Sequence, residues 1–263
     1  MKAMPKMSTK KLIEIKNIHI DYDMDDDNGE VIHNVSLDIY NNDFICLLGP
    51  SGCGKSTILK AIAGFIKPYK GSIEMNGNVI EGPDKTRGVV FQEANLFPWF
   101  SVRQNVALGP KMAGLPQEEV DEICDKYLSQ VELTSHEDMK VFELSGGQKQ
   151  RVSIARTLAN HPEVVLMDEP FGALDSFTRQ KMQVMLRKLW TQNKSTIFFV
   201  THDIDEALLL GTKIHVMGIG KEGILKSYNV NYTNELINEP KKRVFEEKEF
   251  IQLREEILEL LEN

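Results

Sequence analysis

Several things are scarce or missing in this chain, and each absence removes a class of protein. Only three of its 263 residues are cysteine: Cys46, Cys53 and Cys124. Their spacing fits no metal-ligand pattern. An odd count without a framework excludes a disulfide-stapled scaffold and points to a reduced, cytosolic compartment. No apolar run is long enough to cross a bilayer as a helix. Met1 to Lys11 is polar and basic, lacks the apolar core of a signal peptide, and reads as a flexible lead. A basic excess is also missing, with 31 Lys and Arg against 39 Asp and Glu and a net charge of -8. Nucleic-acid binders usually carry a basic face, so this balance argues against one. The sequence has no internal repeat and no low-complexity linker. Its hydrophobic fraction, 41%, is enough for a proper core in one large domain or two small ones.

The first third reads as strands. Leu12 to Tyr22 alternates loosely, Val31 to Tyr40 follows an acidic turn, and Ser72 to Met75 runs into Asn76-Gly77, a strong hairpin signal. Phe44 to Leu48 is a short apolar strand, and Gly88 to Gln92 is another. The middle turns helical. Val120, Ile123, Cys124, Tyr127, Leu128 and Val131 fall on one helix face, and a second helix follows Gly147. Strand and helix then alternate: Val164–Met167, Thr178–Trp190, Thr196–Val200, Asp203–Leu210 and Ile214–Met217. This alternation implies an α/β fold with a parallel sheet covered by helices. Beyond Tyr228 the chain is charged, with Phe250, Leu253, Ile257, Leu260 and Leu261 at helical spacing. That pattern predicts a terminal helix docked on its own domain.

The segment Gly49-Pro50-Ser51-Gly52-Cys53-Gly54-Lys55-Ser56-Thr57 fits G-x-x-x-x-G-K-[ST], the P-loop. A predicted strand precedes it and a predicted helix, Ser56 to Ala63, follows and stops at Gly64. In that setting the glycines let backbone N–H groups converge on phosphate oxygens, and the helix N-terminus adds partial positive charge. Lys55 would bridge the β- and γ-phosphates, and Ser56 would offer its hydroxyl to Mg²⁺. Cys53 reads as a small tolerated residue, not a nucleophile.

Val164 to Met167 ends in Asp168 and Glu169. Carboxylates at the carboxyl end of a parallel strand open onto the crevice where α/β proteins bind ligands. Beside a P-loop, Asp168 would reach the Mg²⁺ and Glu169 would polarise the attacking water. Leu144-Ser145-Gly146-Gly147-Gln148 precedes a helix and makes a second anion-binding helix start. Either a second ligand binds there, or two sites meet across a dimer, or Ser145 is a simple N-cap.

With these motifs the chain resembles the ATP-binding cassette family, the ATPase subunits of ABC transporters, over about residues 12–228. Leu144 to Gln148 reads as the family signature without substitution. Tyr22 is similar to the aromatic that stacks on adenine, and Gln92 to the Q-loop glutamine that senses Mg²⁺. Asp175, in Ala173-Leu174-Asp175, is similar to the D-loop aspartate, and His202 to the switch histidine that contacts the γ-phosphate. The resemblance implies a P-loop NTPase (RecA-like) core with an antiparallel β subdomain and an inserted helical subdomain at about 93–160, followed by a helical tail at 229–263. It implies ATP and Mg²⁺ as cofactors and a homodimer closing head to tail on ATP. Ser145, Gly146, Gly147 and Gln148 of one chain would then face the nucleotide held by Lys55 of the other.

Leu96-Phe97-Pro98-Trp99-Phe100-Ser101-Val102 and Asp168-Glu169-Pro170-Phe171-Gly172-Ala173-Leu174-Asp175 resemble, within the family, the ATPases of nitrate, sulfonate and taurine importers. Asn41-Asn42-Asp43 and Met217-Gly218-Ile219-Gly220 depart from that pattern at positions the family does not use for nucleotide. The resemblance implies an energy-coupling subunit, peripheral on the cytoplasmic face of the membrane. Separate permease subunits would span the bilayer, and an extracytoplasmic solute-binding protein would take part indirectly. Phe97, Pro98, Trp99 and Phe100 form an apolar cluster costly to leave in water; it is either the permease contact or a satellite core of the helical subdomain. The alternative is a soluble ABC ATPase acting on nucleic acid or ribosomes. The single cassette and the missing basic arm argue against it.

Overall fold

The computed structural model describes residues 10–21, 30–219 and 223–262. Tyr22, the expected adenine-stacking residue, lies outside them. In chain order the first elements are β1 (Lys11–Asp21), β2 (Glu30–Tyr40), β3 (Phe44–Leu48), α1 (Lys55–Ala63), β4 (Lys70–Met75), β5 (Asn78–Val79) and β6 (Arg87–Val90). The helices α2 (Val102–Met112), α3 (Gln117–Gln130) and α4 (Gly146–Leu158) come next, then β7 (Val164–Asp168), α5 (Ser176–Asn193) and β8 (Thr196–Thr201). The chain continues through α6 (Ile204–Leu210), β9 (Lys213–Met217), β10 (Ile224–Asn229), α7 (Tyr232–Asn238) and α8 (Lys248–Glu262).

Two compact units divide the chain, one combining the described residues up to Asp84 with those from Lys194 onward, the other spanning Lys85–Asn193. In the first, an antiparallel sheet runs β2-β1-β4-β5, and four further strands pair in the order β10-β9-β3-β8. β3 is parallel to both β8 and β9. All five residues of β3 and all six of β8 are buried, which is why they read as unbroken apolar runs. The β4–β5 turn places Asn76 at φ 51 and Gly77 at φ 79, the two positive dihedrals that a two-residue I′ hairpin needs. Helix α1 stops at Gly64, which is left-handed and returns its N–H to Ala61 and Lys60. That geometry is the stop signal that glycine supplies.

β10 was not legible as a strand. The segment Ile-Leu-Lys-Ser-Tyr-Asn is largely exposed, so it carries no apolar run or clean alternation. It pairs antiparallel to β9, and Tyr228 sits inside it, opposite Ile214. The terminal helix docks on its own unit as its spacing predicts: Phe250 and Ile257 are buried. Arg254 Nε donates to Asp205 Oδ1 at 2.7 Å, tying α8 to α6.

In the second unit β6 and β7 are parallel neighbours, with Val90 opposite Met167. Val120, Cys124, Tyr127 and Leu128 are the buried face of α3. An Arg103 knot reaches Asp121 and Asp125 of α3 and Glu137 of the following turn. It fastens the start of α2 to segments distant in sequence. The pair with Asp125 is exposed and the other two are part-buried, and we assign the knot a role in register rather than a large share of stability.

Candidate functional site

The P-loop occupies the turn from β3 into α1. Gly52 and Gly54 have φ 85 and 96, a region that L side chains enter only at a cost. A Cβ on Gly54 would also lie 2.4 Å from Ile32 Cδ1, so that position is closed twice over. The Lys55 ammonium is buried, at 4% exposure. It donates to the carbonyls of Gly49 at 2.9 Å and Pro50 at 2.8 Å. Ser51 and Gly52 stand at the surface, Ser56 is half-buried, and Cys53 and Thr57 are buried. Burial pushes the Cys53 thiol up, which suits a packing residue and not a nucleophile.

At the end of β7, Asp168 and Glu169 are half-buried. Glu169 has φ 42, an uncommon conformation for a residue with a side chain. Its carbonyl accepts the Gly172 N–H at 3.1 Å. A Cβ built on Gly172 would lie 3.5 Å from Gln92 Nε2 and 3.7 Å from Glu169 Oε2. Gln92 and Glu169, far apart in sequence, therefore flank the same glycine.

Ser145 is the N-cap of α4, in a reciprocal capping box. Its Oγ accepts the Gln148 N–H at 3.3 Å, and its own N–H donates to Gln148 Oε1 at 2.8 Å. The two glycines that follow differ. A Cβ on Gly147 would strike Thr178 Cγ2 at 2.7 Å, whereas one on Gly146 would meet only Leu174 Cδ2 at 3.9 Å. Local packing requires Gly147 but does not explain Gly146. Asp175 is exposed, and its Oδ1 accepts the Thr178 N–H at 3.0 Å at the start of α5. That hydrogen bond holds its carboxyl below the usual range.

His202 is exposed in the turn after β8. The turn is fixed by a buried carboxylate that the sequence did not single out, Glu206. The Thr201 hydroxyl donates to Glu206 Oε2 at 2.7 Å and accepts the Asp203 N–H at 3.0 Å. Asp203 Oδ1 in turn accepts the Glu206 N–H at 3.0 Å.

On both sides of Gln92 the chain is held by polar residues of α4 and α2 that sequence reasoning also missed. Gln150 Nε2 donates to the Phe91 carbonyl at 3.0 Å. Arg156 donates to the carbonyls of Asn95 and Ala94, at 2.9 and 3.1 Å, and lies over the Phe97 ring. Asn105, fully buried, accepts the Phe97 N–H at 2.9 Å and donates to the carbonyls of Phe97 and Ser101. The one available clue was a polar residue on the apolar side of each helix. Phe97, Trp99 and Phe100 pack against one another with centroids 5.6 to 6.1 Å apart. Trp99 remains 66% exposed. Pro98 is exposed, and Phe97 and Phe100 are half-buried. The cluster is a surface feature, not a satellite core around Trp99.

Among the described residues no group of three or more His, Cys, Asp or Glu side chains could hold a metal. Ser56 carries a hydroxyl, Asp168 a carboxylate and Gln92 an amide, donor types that suit a Mg²⁺ keeping several waters and phosphate ligands. No described helix is long and apolar enough to cross a membrane.

Comparison with known proteins agrees with these motifs. The family model described as ABC transporter matches residues 32–172. The taurine import ATP-binding protein TauB of Roseobacter denitrificans is 43% identical over 250 residues, covering 95% of this chain and 93% of that protein. The protein of the same name from Escherichia coli strain K12 is 39% identical, covering 94% of this chain and 96% of that one. Among solved structures, cbiO1 from Clostridium perfringens, part of the ABC transporter complex cbiONQ, superposes with a TM-score of 0.77 at 26% identity, covering 88% of this chain and 92% of that one. The ATP-binding cassette MJ0796, in a dimeric structure bound to ADP and Pi, gives 0.72 at 33% identity, covering 83% and 99%. With the P-loop, the signature helix start and these matches together, the chain belongs to the ABC transporter family, as an ATP-binding subunit with the P-loop NTPase fold.

Proposed function

We propose that the chain is the ATP-hydrolysing, energy-coupling subunit of an importer for a small organic or inorganic anion or zwitterion, of the taurine, sulfonate or nitrate kind. The observation that carries the ATPase half is the P-loop, with a left-handed Gly54 and a buried Lys55 at the start of α1. The importer half rests on relatives named as taurine import proteins, at 39–43% identity over nearly full length. Lys55 and the P-loop amides hold the β- and γ-phosphates. Ser56, Asp168 and Gln92 are the residues that would hold Mg²⁺, which when bound neutralises charge on the phosphates. Glu169 accepts a proton from the attacking water, and His202 donates a hydrogen bond to the γ-phosphate.

Two copies close on two nucleotides, and Ser145, Gly146, Gly147 and Gln148 of one reach the nucleotide of the other. The open space at Gly146 supports this reading: its nearest described neighbour, Leu174, does not require a missing side chain there, and a partner's phosphate would. A dimeric cassette with ADP and Pi among the relatives supports it as well. Tyr22 would stack on adenine, and Asp175 would act at the dimer seam. The exposed Trp99, with Phe97, Pro98 and Phe100, takes a helix of a permease subunit. With that contact made, the chain would lie on the cytoplasmic face of the membrane.

The test is a pull-down of tagged Glu169→Gln from detergent-solubilised membranes with ATP. Co-purification of a multispanning permease supports the reading, and its associated binding protein would report the solute. Recovery of ribosomes or nucleic acid, with the chain in the soluble fraction, would transfer the assignment to a non-transport ATPase.

A further inference from the structure

The second unit carries a cleft of about 480 Å³ between α5, the end of α3 and α4. Its wall on α5 is one helix face, with Phe177, Lys181, Val184 and Lys188 at i, i+4, i+7 and i+11. Phe177 is 64% exposed and Val184 44%, two large apolar groups that lie within the concavity instead of standing alone on a convex surface. The Lys181 ammonium sits 4.1 Å from the Phe177 centroid. Arg151 of α4 also lines the cleft. Glu132 is the single carboxylate of that lining, and its charge is taken up by Arg151 Nη1 at 2.9 Å.

The charge pattern is unusual for this chain. In a protein of net charge -8, the 18 residues of α5 contain Arg179, Lys181, Arg187 and Lys188 and no Asp or Glu. Isolated surface lysines are normally just solvated. Here two of them, roughly 10 Å apart along the helix at 1.5 Å per residue, border an apolar floor. A concave, largely apolar surface of a few hundred Å³ with a few convergent charges is the form of a small-ligand site.

We propose that this cleft binds a small organic anion: a sulfonate, carboxylate or phosphate group on a flat apolar body. The body lies over Phe177 and Val184, and the anion is held by Lys181 or Lys188. The size of the concavity and the aromatic floor favour a small molecule over an extended acidic peptide. None of its lining residues belongs to the nucleotide or permease contacts proposed above, so its test does not depend on them.

Anilinonaphthalene sulfonate is a suitable probe, titrated by fluorescence against the purified chain, with a naphthalene bearing a quaternary ammonium group as the charge-reversed control. Saturable one-to-one binding of the sulfonate is expected. It should weaken about tenfold or more in Lys181→Glu/Lys188→Glu, weaken in Phe177→Ala, and persist in Trp99→Ala. Lys181→Gln/Lys188→Gln is the milder second variant should charge reversal impair folding. Sulfonate binding retained in the lysine variants, equal affinity for the cation, or loss only in Trp99→Ala would each overturn the proposal.

Discussion

The carbonyl of Glu169 accepts the amide of Gly172 at 3.1 Å, and this turn holds Glu169 in a left-handed conformation at φ 42. Such a conformation costs about 1–2 kcal/mol for a residue with a side chain. Strain of this kind persists where the surrounding structure over-determines a functional group. The carboxylate is therefore set by the backbone and not only by rotamer choice.

Stability and turnover should separate at this residue. Glu169→Gln should bind ATP, lose about 10²-fold or more in kcat, and accumulate as a nucleotide-bound dimer. Glu169→Gly should be equally inactive but unfold at the same or a higher Tm, because glycine relieves the dihedral. ATPase assays alongside thermal unfolding check both; wild-type turnover in either variant would remove Glu169 from catalysis.

Ser145 has two jobs that substitution can divide. Ser145→Ala should lose the cap of α4, about 1 kcal/mol. Ser145→Asp keeps a capping oxygen and should retain stability, yet repel a partner's γ-phosphate and prevent dimer closure. Sedimentation with ATP in the Glu169→Gln background distinguishes them. Undiminished dimerisation of the Asp variant would break the shared-nucleotide reading.

The aromatic surface predicts a contrast between neighbours. Trp99→Ala should leave Tm almost unchanged, since the ring is mostly in solvent, while lowering recovery of the permease. Asn105→Ala should cost on the order of 1–3 kcal/mol, because it leaves the Phe97 N–H and two carbonyls without their buried partner. Permease recovery from membranes and thermal unfolding, measured on both variants, should move in opposite patterns.

Asp43 gives a pH signature. Burial pushes its carboxyl up to about 6, outweighing the pull of Lys213, and its Oδ2 is an orphaned acceptor. Between the ordinary value of 3.8 and about 6 the native state holds a proton that the unfolded chain has released. Stability from this group is thus present below 3.8 and lost as pH rises through 6. Asp43→Asn should match wild type near pH 4 and exceed it at pH 7 by on the order of 1–3 kcal/mol. His215, which burial pulls down to about 4, works in the opposite sense: its native state stays neutral while the unfolded imidazole charges below 6.5. Acid sensitivity between 6.5 and 4 should therefore survive in Asp43→Asn. Chemical denaturation across pH 4 to 8 reads both slopes.

Much of this molecule was legible in the sequence because its decisive elements are local. The P-loop, its strand and its helix are contiguous, the Asn76-Gly77 turn announces its own dihedrals, and α3 and α8 show their buried faces by spacing. The groups that were not legible act over distance. β10 is a polar edge strand defined only by its pairing with β9. Glu206 is an ordinary helix glutamate until Thr201 buries it. Gln150, Arg156 and Asn105 matter because they meet the carbonyls and amides of a segment with no regular structure of its own. The glycine shared by Gln92 and Glu169 joins residues seventy-odd positions apart, a link that no periodicity carries.

The Lys55 ammonium is bonded to the carbonyls of its own loop, at Gly49 and Pro50. A triphosphate arriving there does not gain a lysine contact outright; it competes for a cation already solvated by main-chain oxygens. The affinity of the loop is then the difference between two sets of partners. A substitution at Gly49 or Pro50 that tilted either carbonyl away would strengthen nucleotide binding without touching the nucleotide.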